Sequence, residues 1–348
     1  MSQVKLEKVL WVWQDRIPQA ALTVVDGDPG LGKTTAVLDL ASRLTRGVAM
    51  PGEPAPLLPA SDVVVMSLED SLGATLKPRM EAAGADPERV IFVTEVTQRE
   101  GSKVFTRPPA IPTDVELLQE LVQRRGAKMV VIDPLMAALD GSVDSHKDQE
   151  IRRALKPLSD MALKTGCAVI IIRHLSKGVG ASAVYRGGGS IGIIGAARSG
   201  LLVAKDPESP RDRILAQVKN NVGPTANSVR FGIVQDPQRS VGMVAWGDAC
   251  ELSADDLVDP RTKRSSERSS QAKALLTSAL QSGALPVETL REMATAAGIG
   301  WRTLERAKSD LGYCARQRLG HRGWVWYNPA APQLAPSAQI QAGPGGDA

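Results

Sequence analysis

The segment from Gly27 to Thr34 carries the residue types that bind a phosphate chain. Its sequence, GDPGLGKT, fits the pattern G-x-x-x-x-G-K-[ST] in full. Glycines there let backbone N–H groups wrap phosphate oxygens without Cβ clashes, and the N-terminus of a following helix adds a favourable field. Lys33 can reach the β- and γ-phosphates, and the Thr34 hydroxyl can ligate Mg²⁺. The pattern predicts a P-loop that takes ATP and Mg²⁺. The predicted nucleotide contacts are Gly27, Asp28, Pro29, Gly30, Leu31, Gly32, Lys33, Thr34 and Thr35.

The segments around this loop are those that a P-loop requires. Residues 21–25 form a short apolar, β-branched run typical of a buried strand, and residues 35–41 carry apolar side chains at helical spacing. The alternative is a glycine turn that precedes a helix and binds nothing. A strand, a glycine-rich loop and a helix in this order favour the P-loop over that alternative.

Two further apolar runs lead into carboxylates. The run MVVI ends at Asp133, and the run VVVMS is followed closely by Glu69 and Asp70. A carboxylate at the end of the first run suits Mg²⁺ held through its water shell, so we predict Thr34 and Asp133 as the metal residues. A hydrolytic ATPase also needs a carboxylate that orients and deprotonates the attacking water, and Glu69 is the candidate. The alternative is that Glu69 and Asp70 only cap the next helix; a cap at Asp70 is compatible with catalysis by Glu69.

Another apolar run, AVIII, leads into Arg173 and His174. A polar group at the carboxyl end of a strand can touch the γ-phosphate and respond to its loss. A single histidine is more often a structural residue. His174 is one of three histidines in the chain, and it follows a strand that would end at the predicted site. We therefore predict that His174 senses the γ-phosphate.

The order of the segments predicts an α/β fold with a mostly parallel central sheet over residues 1–250. Residues 251–270 mix Asp, Ser, Arg and Glu without apolar periodicity, which predicts a flexible linker. Residues 271–328 predict a small helical module that ends in a hairpin, and residues 329–348 predict a disordered tail. The predicted strands of the first part are 21–26, 62–67, 90–94, 128–132, 168–173, 199–204, 213–219 and 229–234, and its predicted helices are 33–45, 72–83, 114–124 and 149–164.

The composition indicates a cytoplasmic protein with an uneven distribution of charge. No apolar run is long enough for a membrane span, and the first residues carry no signal-peptide pattern. Three widely spaced cysteines fit packing roles in a reducing compartment. Residues 261–330 carry twelve Lys and Arg against five Asp and Glu, whereas residues 1–260 are nearly neutral. The basic part suggests a polyanionic partner, and a solvated charged surface is the alternative.

The C-terminal module has the layout of a winged helix-turn-helix. Residues 272–280, 286–294 and 301–311 are predicted helices, and two strand-like segments flank the connection GHRG. The apolar residues of the third helix share one face, which leaves its basic residues free to enter a groove of duplex DNA. A winged helix that binds protein is the alternative. The predicted nucleic-acid contacts of the module are Arg302, Arg306, Lys308, Arg316, Arg318 and Arg322.

Several motifs in one order resemble a known family. The first is WQDRIP, which precedes the P-loop strand, and the second is SLED, which follows the P-loop and is itself followed by Arg79. The others are, in order, IDPL, RH, YRGGGS leading into GAAR, and KNNVGPT. Over residues 10–235 the chain resembles the RecA-like core of hexameric replicative helicases, and the plasmid RepA group in particular. The resemblance implies a homo-hexameric ring with ATP at each subunit interface, moving along single-stranded DNA. A primase or initiator would be a separate protein.

The resemblance also implies roles for residues that match the motifs. It makes Glu69 the catalytic base, His174 the γ-phosphate sensor and Arg198 an arginine finger that reaches the nucleotide of a neighbouring subunit. Lys219 resembles the lysine of a K-x-R-x-G-P-T motif, but this chain has Asn221 where the family has arginine. That departure moves the finger role to Arg198, or to Lys219 alone. A structural salt bridge is the alternative role for Arg198.

The glycine-rich segment 177–189 faces the central channel in this family. There Lys177 and Arg186 would hold DNA phosphates and Tyr185 would stack on a base, and an ordinary mobile loop is the alternative.

Two functions of the whole protein stay open. One is an ATP-dependent DNA helicase or translocase in replication. The other is a RecA-like, DNA-dependent ATPase that acts as a loader, recombination mediator or DNA-binding regulator without processive unwinding, which a duplex-reading module would suit.

Overall fold

The chain forms two compact units, Met1–Asp259 and Pro260–Ala348, in a computed structural model. The structure describes residues 8–101, 103–175, 183, 187–258, 260–317 and 323–329, with the backbone alone for Glu100 and residues 260–268. The predicted tail beyond residue 329 therefore lies outside the described residues.

The first unit is an α/β domain. Its strands are β1 (Trp11–Trp13), β2 (Ile17–Pro18), β3 (Leu22–Gly27), β4 (Val63–Ser67), β5 (Val90–Val93), β6 (Val96–Glu100), β7 (Lys103–Arg107), β8 (Met129–Asp133), β9 (Ala168–His174), β10 (Ser199–Lys205), β11 (Asp212–Asn220), β12 (Ser228–Gln235) and β13 (Gly242–Cys250). Its helices are α1 (Lys33–Arg46), α2 (Lys77–Ala82), α3 (Val115–Arg125), α4 (Leu135–Ala138), α5 (Asp148–Thr165), α6 (Gly192–Ala196) and α7 (Ala254–Val258), with a π-helix over Leu72–Leu76 and a 3₁₀ turn over Pro87–Arg89.

The described strands build a nine-stranded sheet in the order β13-β12-β11-β10-β3-β9-β8-β4-β5. The six strands from β10 to β5 in this order run parallel, and β11, β12 and β13 extend the sheet antiparallel on one side. The carboxyl ends of β3, β9, β8 and β4 therefore meet at one edge, which is where ligands bind in such sheets. This sheet confirms the predicted mostly parallel α/β fold.

The two faces of the sheet are both buried. Val25 of β3 packs into a core that contains residues of α1, whereas Leu22 and Val24 of the same strand pack into a second core with α3 and α5. Strands that are covered on both faces are apolar at nearly every position instead of alternating. This is why uninterrupted apolar runs predict the parallel strands so well.

Several elements of the first unit differ from the prediction, and β1, β2, α4, α6 and α7 lie outside the predicted strands and helices. β13 is not predicted because two glycines and Asp248 interrupt its β-branched pattern. The hairpin β6–β7 is not predicted because its side chains are charged or exposed rather than alternating with a core. The helix predicted over residues 72–83 is present but begins as a π-helix, in which the Lys77 N–H donates to the Leu72 carbonyl. Pro78 has no N–H, so it cannot continue regular α-helical bonding at that point.

The second unit contains three helices and a small sheet. Leu276, Leu290 and Leu304, one from each helix, pack with Trp326 in its core. The sheet has the strand order β14-β16-β15. The elements are α8 (Pro260–Ala279), α9 (Val287–Ala296), α10 (Trp301–Asp310), β14 (Leu285–Pro286), β15 (Cys314–Gln317) and β16 (Trp324–Tyr327).

The flexible linker predicted over residues 251–270 is wrong in its secondary structure. Residues of this range belong to α7 and to the first half of α8, and the division between the units falls after Asp259 instead. The first half of α8 has no apolar stripe that periodicity could detect. Its Arg, Lys and Glu residues are nevertheless good helix formers, and Pro260 suits the first helical position.

The remaining expectations on composition concern the thiols and the membrane. Cys167 and Cys250 are buried and Cys314 is half-buried, and all three are unpaired thiols. Burial of the first two agrees with the predicted packing role. Among the described residues, no helix is both long enough and apolar enough to cross a bilayer.

Candidate nucleotide site

The loop between β3 and α1 turns through two glycines. Gly30 and Gly32 have φ angles of 75° and 83°, which residues with a Cβ rarely adopt. Gly32 is also the N-cap of α1, and its side-chain-free backbone leaves the first N–H groups of the helix open. The loop therefore presents several N–H donors and the positive end of α1 toward the carboxyl edge of the sheet.

The ammonium group of Lys33 is held at this edge by three acceptors. Its Nζ lies 2.8 Å from the Gly27 carbonyl oxygen, 2.9 Å from the Asp28 carbonyl oxygen and 3.1 Å from Nδ1 of His174. Burial lowers the pKa of Lys33, against the opposing effect of nearby carboxylates. The structure thus places the predicted γ-phosphate sensor directly against the P-loop lysine.

The imidazole of His174 is set up as a neutral acceptor. An ammonium group can only donate, so Nδ1 accepts from Lys33 and the ring proton sits on Nε2. Burial, and then the charge of Lys33, lower the pKa of His174. The Nε2–H group is consequently the available donor of this side chain.

The two predicted metal residues contact each other. Thr34 Oγ1 donates a hydrogen bond to Asp133 Oδ2 at 2.6 Å. Burial raises the pKa of Asp133 to about 6, and the negative charges of Asp70 and Glu69 contribute to the same shift. A buried carboxylate with a raised pKa is stabilised in its anionic form when a cation binds beside it.

The residues at this point fit Mg²⁺. Hydroxyl and carboxylate oxygens are the ligands that Mg²⁺ prefers, and Thr34 and Asp133 would hold it. The Ser67 hydroxyl is buried beside them without a hydrogen-bond partner in the described part of the chain. Within that part, no group of three or more His, Cys, Asp or Glu side chains could hold a metal alone. Phosphate oxygens and water would complete the coordination, as is usual for this ion.

A single cavity of about 380 Å³ brings these side chains together. Its volume falls in the range of small-molecule sites. The predicted base Glu69, both metal residues and His174 line it together with half of the P-loop. The lining residues are Gly30, Gly32, Lys33, Thr34, Thr35, Ser67, Glu69, Asp70, Arg79, Asp133, His174, Arg213, Ile233 and Gly242.

The other predicted nucleotide contacts lie around the cavity in supporting places. Gly27 and Asp28 direct their carbonyl oxygens at Lys33. Leu31 packs into the core that contains α1, and Pro29 is exposed. These residues therefore contribute mainly through their backbone, while the Asp28 carboxylate also acts electrostatically on Lys33.

Five lining residues carry no predicted role, and one of them is Ser67, which ends β4. Arg79 forms an ion pair with Asp70 at 2.9 Å. The motif SLED precedes Arg79 in the sequence but predicts no function for it. Arg213, Ile233 and Gly242 come from the antiparallel strands. A Cβ on Gly32 would lie 3.0 Å from Cδ1 of Ile233, so β12 closes directly over the loop. No local pattern in the sequence predicts that these strands lie next to the P-loop.

The two predicted finger residues lie away from the cavity of their own chain. Arg198 is exposed, and its side chain forms no hydrogen bond or ion pair within the described ranges. Lys219 donates through Nζ to the carbonyl oxygens of Ile194 and Ala197, both at 2.8 Å. Burial and the charge of Arg198 lower the pKa of Lys219. Lys219 thus stabilises the carboxyl end of α6, where cations are favourable.

The predicted nucleic-acid contacts are only partly described. Arg302 and Arg306 are exposed on α10. Lys308 lies with Nζ 5.1 Å from the ring centre of Trp326, and Arg316 is exposed on β15. The other predicted contacts, Lys177, Tyr185, Arg186, Arg318 and Arg322, lie outside the described residues.

Two comparisons relate this chain to known proteins. The family model described as AAA domain matches residues 2–180, a stretch that spans the P-loop, Glu69, Asp133 and His174. The DNA repair protein RadA of Bacillus subtilis (strain 168) is 21% identical over 163 residues, which are 46% of this chain and 29% of RadA. The match thus covers less than a third of that relative's length. On the family match and the geometry of the P-loop, the chain belongs to the AAA domain family, and its first unit is a RecA-like P-loop ATPase domain.

Proposed function

We propose that the protein is an ATP-dependent DNA helicase or translocase of the RepA-like type, which hydrolyses ATP between subunits and moves on single-stranded DNA in replication. One observation carries the proposal. The base, the metal residues and the sensor share a cavity with Lys33, whereas the exposed Arg198 lies outside it. Phosphoryl transfer needs positive charge where the transition state becomes negative. Two arginines line the cavity: Arg79 is paired with Asp70, and the Arg213 guanidinium donates to the Arg211 carbonyl oxygen. We therefore propose a neighbouring subunit as the source of that charge.

In this proposal each described side chain of the site has one task. Glu69 orients and deprotonates the attacking water. Lys33 leaves its carbonyl acceptors to bind the β- and γ-phosphates, and the Nε2–H group of His174 donates to the γ-phosphate. Thr34 and Asp133 hold Mg²⁺, which when bound neutralises charge on the phosphates. Arg198 of one subunit completes the site of the next, in a homo-hexamer.

DNA contacts are proposed for both units. The second unit would act as a winged helix-turn-helix that binds duplex DNA, with Arg302 and Arg306 of α10 directed at a groove. Its excess of basic residues supports a polyanionic partner. Lys177, Tyr185 and Arg186 would contact single-stranded DNA in the channel of the ring. A primase or initiator would join as a separate protein.

A second function has support of its own. RadA is named as a DNA repair protein, and the similarity to it covers the ATPase region. A RecA-like, DNA-dependent ATPase that serves as a loader, recombination mediator or regulator would use the same nucleotide site without processive unwinding. The two functions share ATP hydrolysis and DNA binding and differ in strand separation.

ATPase rates measured with and without DNA test what both functions share. Single-stranded DNA should stimulate hydrolysis by the wild-type protein, and the Lys33→Ala variant should bind no nucleotide and show no turnover. A Lys128→Ala variant, which changes a half-buried lysine outside the cavity, is the control and should keep wild-type rates. Equal rates with and without DNA would contradict the proposal. Undiminished turnover by Lys33→Ala would exclude the cavity around Lys33 as the ATPase site.

A further inference from the structure

The hydroxyl of Ser67 is a buried polar group without a partner. The residue is 4% exposed, and its Oγ has no hydrogen bond within the described residues. It ends β4 and stands in register with Asp133, the last residue of β8. The next residue, Leu68, donates its N–H to the Asp133 carbonyl oxygen at 3.1 Å, which fixes this register.

A buried hydroxyl that makes no hydrogen bond costs free energy, so such groups are rare unless a ligand supplies the partner. Thr23 Oγ1 on β3 is the other buried side-chain atom of this kind in the described part of the chain. The two differ in one respect. Ser67 lines the nucleotide cavity, whereas Thr23 does not. The position of Ser67 therefore points to a partner that enters with the nucleotide.

The neighbours of Ser67 indicate what that partner is. On one side lies Asp133, whose Oδ2 accepts a hydrogen bond from Thr34 Oγ1 at 2.6 Å. On the other side, Glu69 follows two residues later along the chain and also lines the cavity. A hydroxyl that lines the same cavity as a metal residue and the proposed base can both donate to and accept from a bound water.

We propose that Ser67 is a positioning residue of the Mg²⁺ site, whose hydroxyl hydrogen-bonds the water shell of the metal beside Asp133. This inference rests on the proposed metal role of Thr34 and Asp133. It assigns Ser67 a contribution that exists only when Mg²⁺ and nucleotide are bound together. Removing the hydroxyl should therefore weaken the effect of Mg²⁺ and leave both the fold and metal-free nucleotide binding unchanged.

Calorimetric titration of the full chain with ADP, in EDTA and in Mg²⁺, tests the proposal with the variant Ser67→Ala. We expect the affinity in EDTA to equal that of the wild type. The gain in affinity on adding Mg²⁺ should shrink by about two- to tenfold, the range of one hydrogen bond. The melting temperature without ligands should be equal or higher, because an unsatisfied hydroxyl has been removed. The matched control is Thr23→Val, which removes the other unpartnered hydroxyl and should leave the Mg²⁺ effect unchanged.

Three results would overturn the inference. An unchanged Mg²⁺ effect in Ser67→Ala would show that the hydroxyl does not serve the metal. An equal loss of affinity in EDTA and in Mg²⁺ would assign Ser67 to the phosphates or to packing. If Asp133→Asn also left the Mg²⁺ effect intact, the proposed metal site would itself be wrong, which separates that failure from a failure of Ser67 alone.

Discussion

The guanidinium of Arg173 forms a bidentate ion pair with the carboxylate of Asp26, with both N–O distances at 2.7 Å and both side chains almost completely buried. The pair joins β9, which ends at His174, to β3, which leads into the P-loop. Arg173 also donates through Nη1 to the Gly188 carbonyl oxygen at 3.2 Å. A Cβ on Gly187 would overlap this guanidinium. The pair thus fixes the sensor strand, the P-loop strand and the segment before α6 relative to one another.

Breaking this pair should destabilise the fold strongly. Asp26→Asn leaves a buried guanidinium without its counter-charge, which we expect to lower the free energy of unfolding by about 3–5 kcal/mol. The matched control is Asp160→Asn, which removes the carboxylate of the exposed pair with Lys156 and should cost less than about 1 kcal/mol. Urea unfolding of the two variants measures both values. Equal losses in the two variants would contradict the assigned importance of the buried pair.

The raised pKa of Asp133 predicts a pH-dependent effect on stability. Its pKa is about 6 in the folded chain, above the ordinary aspartate value of 3.8. The folded state therefore binds more protons than the unfolded state between these values, and the associated stability is lost as the pH rises through about 6. Asp133→Asn should gain stability relative to the wild type on going from about pH 5 to about pH 8, without nucleotide or metal. A difference between the two proteins that stays constant over this range would contradict the prediction.

Replacement of the proposed base should separate binding from hydrolysis. Glu69 lines the cavity, and among the described residues its side chain makes no hydrogen bond to the P-loop, so Glu69→Gln should bind ATP like the wild type. Hydrolysis should fall by at least about 100-fold, because a general base is lost. Nucleotide titration and phosphate release measure the two effects. Glu116→Gln on the exposed face of α3 is the control, and turnover by Glu69→Gln at the control rate would exclude Glu69 as the base.

Arg198 should act on the nucleotide of a neighbouring subunit. Arg198→Ala and Lys33→Ala should each lack ATPase activity alone, because one lacks the arginine and the other lacks the phosphate-binding lysine. Mixing the two should restore part of the wild-type rate, since a Lys33→Ala subunit can still supply Arg198 to the intact P-loop of an Arg198→Ala neighbour. Arg124→Ala, which changes an exposed arginine of α3, is the control and should keep the wild-type rate when measured alone. A mixture of Arg198→Ala and Lys33→Ala that stays inactive would contradict action between subunits.

The nucleotide site was largely predictable because its parts are local. Gly27–Thr34, Glu69, Asp133 and His174 each follow an apolar run, and the ends of parallel strands meet at one edge of a sheet. The type and position of these residues are therefore visible before any tertiary contact is known. Their hydrogen bonds, such as that between Lys33 and His174, follow from the strand order that places β3 beside β9.

Other features depend on neighbours that the sequence does not reveal. Arg213 and Ile233 reach the cavity only because three antiparallel strands extend the sheet next to β10. The pairing of Arg173 with Asp26 requires that β9 lies beside β3, and no motif spans the two positions. Pro260 begins a helix whose first half has no apolar stripe, so periodicity indicated a linker there. The two contacts depend on which strands are neighbours in the sheet, and the start of α8 depends on intrinsic helix propensity. Neither can be read from apolar periodicity or from a local motif.

Strand displacement tests most directly whether ATP hydrolysis drives this protein along DNA. The substrate is a labelled duplex with a 5′ tail, a 3′ tail or no tail, and Glu69→Gln serves as the hydrolysis-deficient control. We expect ATP-dependent release of the labelled strand from one of the tailed substrates by the wild type, and no release by the control. DNA-stimulated ATPase without release from any substrate would contradict a helicase or translocase function and favour a loader or recombination mediator.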